Sequence, residues 1–256
     1  MKAVILAAGR GTRIDEVTHG VPKCLLSFGP RTILDCQIQG LLHAGISKVV
    51  IVVGHNASRI IGHIRLNYTD RLDAFHFVHN DVYATTNNIY SLWLARDWLK
   101  GSDFICLNAD VLCHPHILAA AAKGRGLVSM VVDPAWRDET MKVIIEGDDV
   151  IKMSKGIGRE DFSGTYIGIT RFSRAATRPL FDEIGGMIGQ GLVNDFFNAA
   201  VQRLVDRGLR VSPTYTRGLP WAEVDDGSDY QFALKNVSPR LPWGHANACE
   251  AIPAFA

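Results

Sequence analysis

The first half of the chain alternates short, apolar, β-branched runs with longer amphipathic stretches. The apolar runs predict buried strands, and the stretches between them have the helical spacing of elements that pack on a sheet. Four strands are expected, at Ala3–Leu6, Val49–Val53, Phe75–Val78 and Phe104–Leu107, with helices at Thr32–Ala44, Ala57–Leu66, Asn88–Leu99 and His116–Lys123. Right-handed β-α-β connections would bring the carboxyl ends of these strands to one edge of a parallel sheet, where α/β proteins bind ligands.

From Leu127 onward, strands follow one another without long helices between them. Runs at Leu127–Val132, Met141–Glu146, Val150–Lys155 and Thr165–Phe172 predict a mixed or antiparallel extension that could form the floor of an acceptor site. Helices are then expected at Ser173–Glu183, Leu192–Arg207 and Gly227–Lys235, and strands at Val211–Tyr215 and Trp221–Val224. The predicted fold is a single α/β domain with a mixed, mainly parallel, twisted sheet flanked by helices and a small β extension. We expect this domain to span residues 1–236 and residues 237–256 to form a surface tail.

Composition excludes several classes of protein. Lys and Arg number 27 against 26 Asp and Glu, so the net charge of +1 gives no reason to expect a nucleic-acid partner. The five cysteines are scattered and form no C-x-x-C pair, which favours a reducing cytoplasm over a disulfide framework. No apolar run approaches the ~20 residues of a spanning helix. We therefore expect a cytoplasmic protein without a membrane partner.

A glycine-rich loop directly follows the first predicted strand. Glycines let backbone N–H groups approach a phosphate chain, and nearby basic side chains would supply positive charge. A solvated glycine turn is the alternative, but the loop, the basic residues and a strand end coincide here. The loop residues expected to bind phosphates are Leu6, Ala7, Ala8, Gly9, Arg10, Gly11, Thr12 and Arg13, and Lys23 follows in Pro22-Lys23.

Neither of two common phosphate-binding motifs fits this loop. The dinucleotide fingerprint needs a third glycine, but position 14 is Ile, and the second strand is followed by Gly54-His55 instead of an acidic residue. A P-loop needs Gly-Lys-Ser/Thr, and the sequence contains no Gly-Lys pair. Dinucleotide-dependent enzymes and P-loop kinases are therefore excluded.

Two blocks of sequence resemble a known family. LAAGRGTR with Pro22-Lys23 resembles the signature of bacterial nucleotidyltransferases, which join a nucleoside triphosphate to a phosphorylated acceptor and release pyrophosphate. The second block, NNIYSL at 87–92 followed by NADV at 108–111, resembles the CTP:phosphocholine and phosphonate cytidylyltransferase branch. The resemblance runs from Met1 to about Lys235. It implies a Rossmann-like nucleotidyltransferase fold, CTP as substrate, and nucleotide contacts from Thr86, Asn87, Asn88 and Asp110.

Acidic residues at two strand ends are candidate metal ligands. Asp110 follows an apolar strand, where a carboxylate can hold Mg²⁺ against triphosphate oxygens. Glu223 and Asp225 alternate so that they share one face of a second strand end. The resemblance implies Mg²⁺ as cofactor with Asp110 and Asp225 as its ligands and Glu223 as a further participant. The alternative is that these acidic residues cap helices or turns.

The segment after Asp110 also permits a transition-metal site. Cys113, His114 and His116 are all potential ligands. They lie, however, in a loop that opens a helix, and a Mg²⁺-type carboxylate needs no soft donors. The magnesium interpretation is therefore preferred.

The acceptor site is the least specified part of the sequence. We expect Trp136, Lys142, Tyr166 and Glu223 to bind the acceptor, with Lys142 meeting a phosphate, although an exposed strand lysine is the common alternative. A choline ammonium would need an aromatic cage, for which Tyr90, Trp93, Trp136, Tyr166 and Trp221 are candidates. The stretch from Trp136 to Lys142 offers one aromatic, one Arg, one Lys and two acids. This mixture favours a small zwitterionic or polar acceptor over choline.

These observations predict a Mg²⁺-dependent cytidylyltransferase. An acceptor phosphate or phosphonate oxygen would attack the α-phosphorus of CTP in line and expel pyrophosphate, with Lys23, Arg13 and Lys142 as catalytic residues. A sugar-1-phosphate nucleotidyltransferase that uses UTP or dTTP is the nearest alternative, and a catalytically idle nucleotide-binding protein is another. The presence of both Lys23 and Asp110 argues against the idle protein. The sequence does not determine the oligomeric state.

Overall fold

The protein is represented by a computed structural model, which describes residues 1–14 and 19–243. Its strands are β1 (Lys2–Ala7), β2 (Ser27–Phe28), β3 (Arg31–Thr32), β4 (Val49–Val53), β5 (Phe75–His79), β6 (Phe104–Asn108), β7 (Val111–Cys113), β8 (Val128–Asp133), β9 (Lys142–Glu146), β10 (Asp149–Ser154), β11 (Gly164–Phe172), β12 (Val211–Tyr215) and β13 (Trp221–Glu223). Its α-helices are α1 (Ile33–His43), α2 (Ala57–Asn67), α3 (Asn88–Leu94), α4 (Arg96–Leu99), α5 (Pro115–Ala122), α6 (Arg174–Gly189), α7 (Phe197–Asp206) and α8 (Gly227–Phe232). Short 3-10 turns at Thr12–Ile14 and Lys23–Leu25 follow the glycine-rich loop.

One mixed sheet organises the domain, in the strand order β10-β9-β11-β6-β1-β4-β5. Strands β6, β1, β4 and β5 are parallel, as the alternating pattern predicts. Strand β11 runs antiparallel to β6, β8 and β9, so the predicted β extension continues the same sheet. Strand β12 pairs with β8 in parallel. The predicted single α/β domain is confirmed.

Apolar side chains on the two faces of the sheet form two separate cores. Successive residues of β1 alternate between them, with Val4 and Leu6 on one face and Ala3 and Ile5 on the other. Helices α3, α6 and α7 cover the first face, and α1, α2 and α5 cover the second. The result is three layers, helix, sheet and helix, which leave the strand ends open.

Helix α1 begins where the sequence provides a complete cap. The Thr32 side chain accepts a hydrogen bond from the backbone of Asp35, and the Asp35 carboxylate accepts one from the backbone of Thr32. This capping box satisfies two N–H groups that the first helical turn would otherwise leave unpaired. The cap therefore fixes the start of the helix at Ile33.

Several predicted boundaries differ from the structure. The helix expected at 88–99 is divided at Ala95 into α3 and α4, and the helix expected from Leu192 begins only at Phe197. The helix expected at 173–183 extends to Gly189 as α6, and the one expected at 227–235 is α8 followed by a π-helical turn at Ala233–Val237.

The end of the described chain packs against the domain. Val237, Leu241 and Trp243, in the first part of the segment expected to be a surface tail, are buried in a third core under β7 and β13. The rest of that predicted tail, residues 244–256, lies outside the described residues. Among the helices that the structure describes, none combines the length and apolar character needed to cross a membrane.

Candidate active site

A cleft opens at the carboxyl ends of the parallel strands, as the topology predicts. It is lined by residues that follow β1, β5 and β6 together with residues of the β13 end. Most of the residues expected to bind a nucleotide lie on its wall, namely Leu6, Ala7, Ala8, Gly9, Gly11, Thr12, Arg13, Lys23, Thr86, Asn87, Asn88 and Asp110. Arg10 does not line the cleft, because its side chain points from the loop into solvent.

The glycine-rich loop bends sharply at Gly11. Its φ of +64° is a left-handed conformation that side-chain-bearing residues rarely adopt. A Cβ at this position would lie 3.4 Å from the Cβ of Lys23. The bend therefore brings the loop directly against the lysine that follows it.

Lys23 lies at the centre of a compact charge cluster. Its Nζ is 2.8 Å from Asp110 Oδ2 and 2.7 Å from Asp225 Oδ1, and Arg13 is 2.9 Å from Asp225 Oδ2. Burial alone would lower the pKa of Lys23, but the two carboxylates outweigh it and hold the pKa well above its usual value. Burial raises the pKa of Asp225, but Lys23 and Arg13 outweigh that effect and hold it below its usual value. The shifts of Lys23 and Asp225 both favour the charged forms of this ion pair.

Three carboxylates form a potential metal site next to Lys23. One oxygen each from Asp110, Glu223 and Asp225 lies within 4.8 Å of the others. Strand pairing produces this arrangement, because β13 runs antiparallel to β7 and Val224 N donates to Asp110 O at 3.0 Å. Burial and the charges of the two aspartates raise the pKa of Glu223 to about 8.

These residues fit a hard divalent cation. Asp110 Oδ1 is buried and has no hydrogen-bond partner, so the polar site would be incomplete without a further positive group. Carboxylate oxygens are the ligands that Mg²⁺ prefers. The cluster could therefore hold such an ion, with Asp110 and Asp225 as the predicted ligands and Glu223 beside them.

The neighbouring acidic and soft side chains have structural roles. Asp226 caps α8 and forms a capping box with Asp229. These two acidic residues therefore stabilise the start of a helix, whereas Asp225 belongs to the charge cluster around Lys23. His114 caps α5, and Cys113 is buried. Within residues 1–14 and 19–243, the three carboxylates above are the only cluster with metal-ligand spacing. The transition-metal alternative gains no support.

Asn80 lies on the cleft wall formed by residues 80–88, and the sequence analysis missed it. Asn80 is 1% exposed, and its Nδ2 donates to Thr86 Oγ1 and to Ser91 Oγ, both at 3.1 Å. Asn88 Oδ1 accepts a hydrogen bond from the backbone of Phe197 at 2.8 Å. Asn80 directly follows β5, so its position at a strand end was a usable signal.

The expected acceptor residues are only partly brought together. Tyr166 and Glu223 line the cleft, and the buried Tyr166 hydroxyl lies 2.9 Å from Thr170 Oγ1. Trp136 and Lys142 do not line it. Lys142 is 3% exposed and lies over the Trp136 ring, 4.7 Å from its centroid. The two side chains contact each other instead of lining the cleft, and their role toward an acceptor stays a prediction.

A different lysine occupies the cleft wall. Lys155 follows β10, and its Nζ lies 5.4 Å from the ring of Phe196, which is 40% exposed. Asn198 lines the same region, and its buried Nδ2 has no partner. The sequence analysis missed all three residues. Lys155 ends a predicted strand and was detectable, but Phe196 and Asn198 precede and enter α7 without a local signal.

The chain is similar to known nucleotidyltransferases. Residues 3–152 match the model of the MobA-like NTP transferase domain. The chain is 24% identical over 258 residues to the CTP:phosphoglutamine cytidylyltransferase of Campylobacter jejuni, across 92% of this chain and 100% of that relative. It is 34% identical over 175 residues to the 2-aminoethylphosphonate cytidylyltransferase of Lancefieldella rimae, across 67% of this chain and 66% of that relative.

The fold is also found in solved structures. The CTP:phosphocholine cytidylyltransferase of Streptococcus pneumoniae superposes with a TM-score of 0.76 and 22% identity, across 91% of this chain and 97% of that chain. At this level of identity, the likeness concerns the fold alone.

Proposed function

The chain belongs to the MobA-like NTP transferase family and is a nucleotidyltransferase, and from this premise we propose that it transfers CMP from CTP to a small phosphonate or phosphate acceptor, releasing pyrophosphate. One observation carries the proposal. Lys23 forms ion pairs with both Asp110 and Asp225 and lies next to the glycine-rich loop. Groups suited to bind phosphates and groups suited to bind a metal therefore share one wall of the cleft. The choice of CTP is supported by the two cytidylyltransferase relatives.

The nucleotide side of the cleft supplies cations and backbone donors. Lys23 and Arg13 would neutralise triphosphate oxygens, and the left-handed turn at Gly11 lets the backbone approach them without steric hindrance. Asn80 fixes the segment that contains Thr86, because its side chain donates to Thr86 and Ser91 and accepts from the Val82 backbone. Asn88 joins the same wall to α7. The groups facing the nucleotide are thus fixed before it binds.

We propose Mg²⁺ as the cofactor, bound by Asp110 and Asp225 with Glu223 beside them. When bound, the ion would stabilise negative charge on the phosphoryl oxygens. A phosphonate or phosphate acceptor is already ionised near neutral pH, so the chain needs no strong general base. Charge neutralisation and alignment of the acceptor with the α-phosphorus are the catalytic contributions that remain.

The acceptor side favours a polar substrate over choline. Lys155 is a cation suited to the acceptor phosphoryl group, and Glu139 is an exposed carboxylate on the same wall. Among the described residues, the aromatic side chains that line the cleft are Tyr83, Tyr166 and Phe196, and Tyr166 is buried. A quaternary ammonium needs several accessible aromatic faces. We therefore propose a small zwitterionic or polar acceptor.

A pyrophosphate-release screen tests the function. It pairs ATP, GTP, CTP, UTP and dTTP with 2-aminoethylphosphonate, phosphocholine, a phosphorylated polyol and glucose 1-phosphate, in Mg²⁺ and in EDTA. We expect turnover with CTP and a phosphonate or polar phosphate, with at least tenfold lower kcat/KM for phosphocholine and no turnover in EDTA. A preference for UTP or dTTP with the sugar phosphate would refute the proposal in favour of the sugar-nucleotide class. Undiminished turnover in EDTA would refute the role of the metal.

A further inference from the structure

Lys142 carries a buried ammonium group. It is 3% exposed, and in the described part of the chain no carboxylate forms an ion pair with it. Its Nζ donates to two backbone carbonyls, Thr140 O and Lys155 O, each at 3.3 Å, and lies over the Trp136 ring. Burying a charge is unfavourable unless its hydrogen bonds are satisfied, so such a group requires an explanation.

The two carbonyls belong to the two segments that form the acceptor side of the cleft. Thr140 and Lys155 both line the cleft, whereas Lys142 does not. One segment leads into β9 and the other follows β10, so they are 15 residues apart along the chain, from 140 to 155. The Lys142 ammonium connects them directly.

Both segments have an irregular backbone close to the point where Lys142 joins them. Glu139 has a φ of +57°, an unfavourable conformation for a residue with a side chain, and it persists only where the surroundings hold it. The pairing of β9 with β10 shifts register between Val150 and Lys152 and then resumes through Ser154, which pairs with Lys142 itself. The Lys142 side chain adds a direct link between the two backbones at this point, just beyond the last ladder pair.

The Trp136 ring completes the environment of the ammonium group. The Arg159 guanidinium lies 4.6 Å from the same ring, and Trp136 Nε1 donates to Asp138 Oδ1 at 2.8 Å. The ring is therefore held in place and stabilises the positive charge of Lys142. An apolar side chain of the same length would keep the packing and lose the two hydrogen bonds.

We infer that Lys142 is a positioning residue for the acceptor: it sets the distance between Lys155 and the Glu139–Thr140 segment without contacting the acceptor itself. The inference rests on the proposed function, because Lys155 is taken as the cation that binds the acceptor phosphoryl group. Displacement of a binding group by about 1 Å can lower a rate up to ~100-fold, so the effect should be measurable.

The test is a double-substitution cycle with Lys142→Met and Lys155→Met, assayed with CTP and 2-aminoethylphosphonate. Lys142→Met should raise the acceptor KM about tenfold and leave the CTP KM within about twofold. In the Lys155→Met background, it should raise the acceptor KM by less than about threefold, because a residue that acts through Lys155 has nothing left to position. Lys152→Met, which removes an exposed ammonium from the same hairpin, is the matched control and should change neither KM.

Three outcomes would overturn the inference. The effects of Lys142→Met and Lys155→Met could multiply, which would indicate an independent contact with the acceptor. Lys142→Met could raise both KM values equally, as general damage to the fold would. It could also leave both unchanged. If Lys142→Met does not fold, Lys142→Gln, which retains one donor group, replaces it in the same cycle.

A binding measurement separates this inference from the proposed function. Calorimetric titration with 2-aminoethylphosphonate, in Mg²⁺ and a non-hydrolysable CTP analogue, should show about tenfold weaker binding to Lys142→Met than to wild type. Equal binding to both proteins overturns the positioning role even if the enzyme is active. A wild-type protein that binds 2-aminoethylphosphonate but releases no pyrophosphate from CTP would refute the proposed function alone.

Discussion

Replacing Lys23 with Met is the most informative single perturbation of the charge cluster. Lys23 forms ion pairs of 2.8 and 2.7 Å with Asp110 and Asp225, and the three side chains are 17%, 20% and 24% exposed. Methionine has similar length and no charge, so the substitution removes both ion pairs with little change in packing. It leaves the Asp110, Glu223 and Asp225 carboxylates, within 4.8 Å of one another, without their central cation.

The expected loss of stability follows from this geometry. Removing one partner of a fully buried ion pair costs about 3–5 kcal/mol, and partial exposure of these groups reduces the figure. We expect the free energy of unfolding of Lys23→Met to fall by about 2–3 kcal/mol in EDTA. If the three carboxylates bind Mg²⁺, the ion replaces the lost charge and binds only the folded state. More than half of the lost stability should then return in millimolar Mg²⁺.

Addition of Mg²⁺ should not restore the catalytic activity of Lys23→Met in the way that it restores stability. Lys23 would donate a charge-assisted hydrogen bond to a phosphate oxygen, which contributes about 1.5–3 kcal/mol. At saturating Mg²⁺, kcat/KM for CTP should therefore fall by more than about tenfold. Stability and activity thus respond differently to the same ion.

Urea denaturation in EDTA and in Mg²⁺, together with pyrophosphate release, measures both effects. Lys48→Met is the matched control, because Lys48 pairs with Asp73 at 3.2 Å but these side chains are 59% and 83% exposed. Its stability should change by no more than about 0.5 kcal/mol in either buffer. The reasoning is refuted if Lys23→Met is as stable as wild type in EDTA, or if its loss of stability is the same with and without Mg²⁺.

Three further substitutions test other parts of the structure. Asp225→Asn should lower kcat by more than about 100-fold, whereas Asp226→Ala, which removes only a helix cap, should cost about 1 kcal/mol of stability and retain activity; equal kcat values would contradict the metal site. Gly11→Val should lower kcat/KM for CTP by more than about tenfold, while Gly45→Val, at a similar positive φ with open space around it, should lower stability alone. Burial raises the pKa of Asp35, but hydrogen bonds from His63 and Thr32 outweigh this effect and lower the pKa from 3.8 to about 2. The ionised Asp35 side chain therefore contributes about 2 kcal/mol to the free energy of unfolding above pH 4, and this contribution disappears as the pH falls towards 2. In urea denaturation, the free energies of unfolding of Asp35→Asn and wild type should converge over that range, and a constant difference between them would contradict this.

Local sequence patterns were sufficient for the sheet and for one side of the cleft. The β-branched run at Val49–Val53 forms a strand with the predicted boundaries, because burial on both faces needs only a continuous apolar segment. The glycine-rich loop follows β1, and its strand end determines where it lies. Asp110 follows β6 in the same way. These features depend on neighbours along the chain, so they are visible in the sequence.

The start of α7 was decided by contacts between distant segments. Residues 192–196 have helical periodicity, yet the backbone there accepts hydrogen bonds from Asn87 and Ile89 through Val193 O and Asp195 O. Asn88 then accepts from the Phe197 backbone, where α7 begins. These bonds involve residues about 100 positions apart, and no local pattern contains them.

The sequence by itself determined the strand ends near which the charged residues lie, and the tertiary structure decided which of these residues face the cleft. Lys142 and Lys155 flank the same β hairpin, and the two-residue period of a strand does not say which side of the hairpin borders the cleft. Packing of β9 against β11 buries Lys142 against Trp136, whereas Lys155, beyond the end of β10, reaches the cleft wall. Similarly, Asp225 lies beside Lys23 only because β13 pairs with β7, which brings together residues that are 202 positions apart.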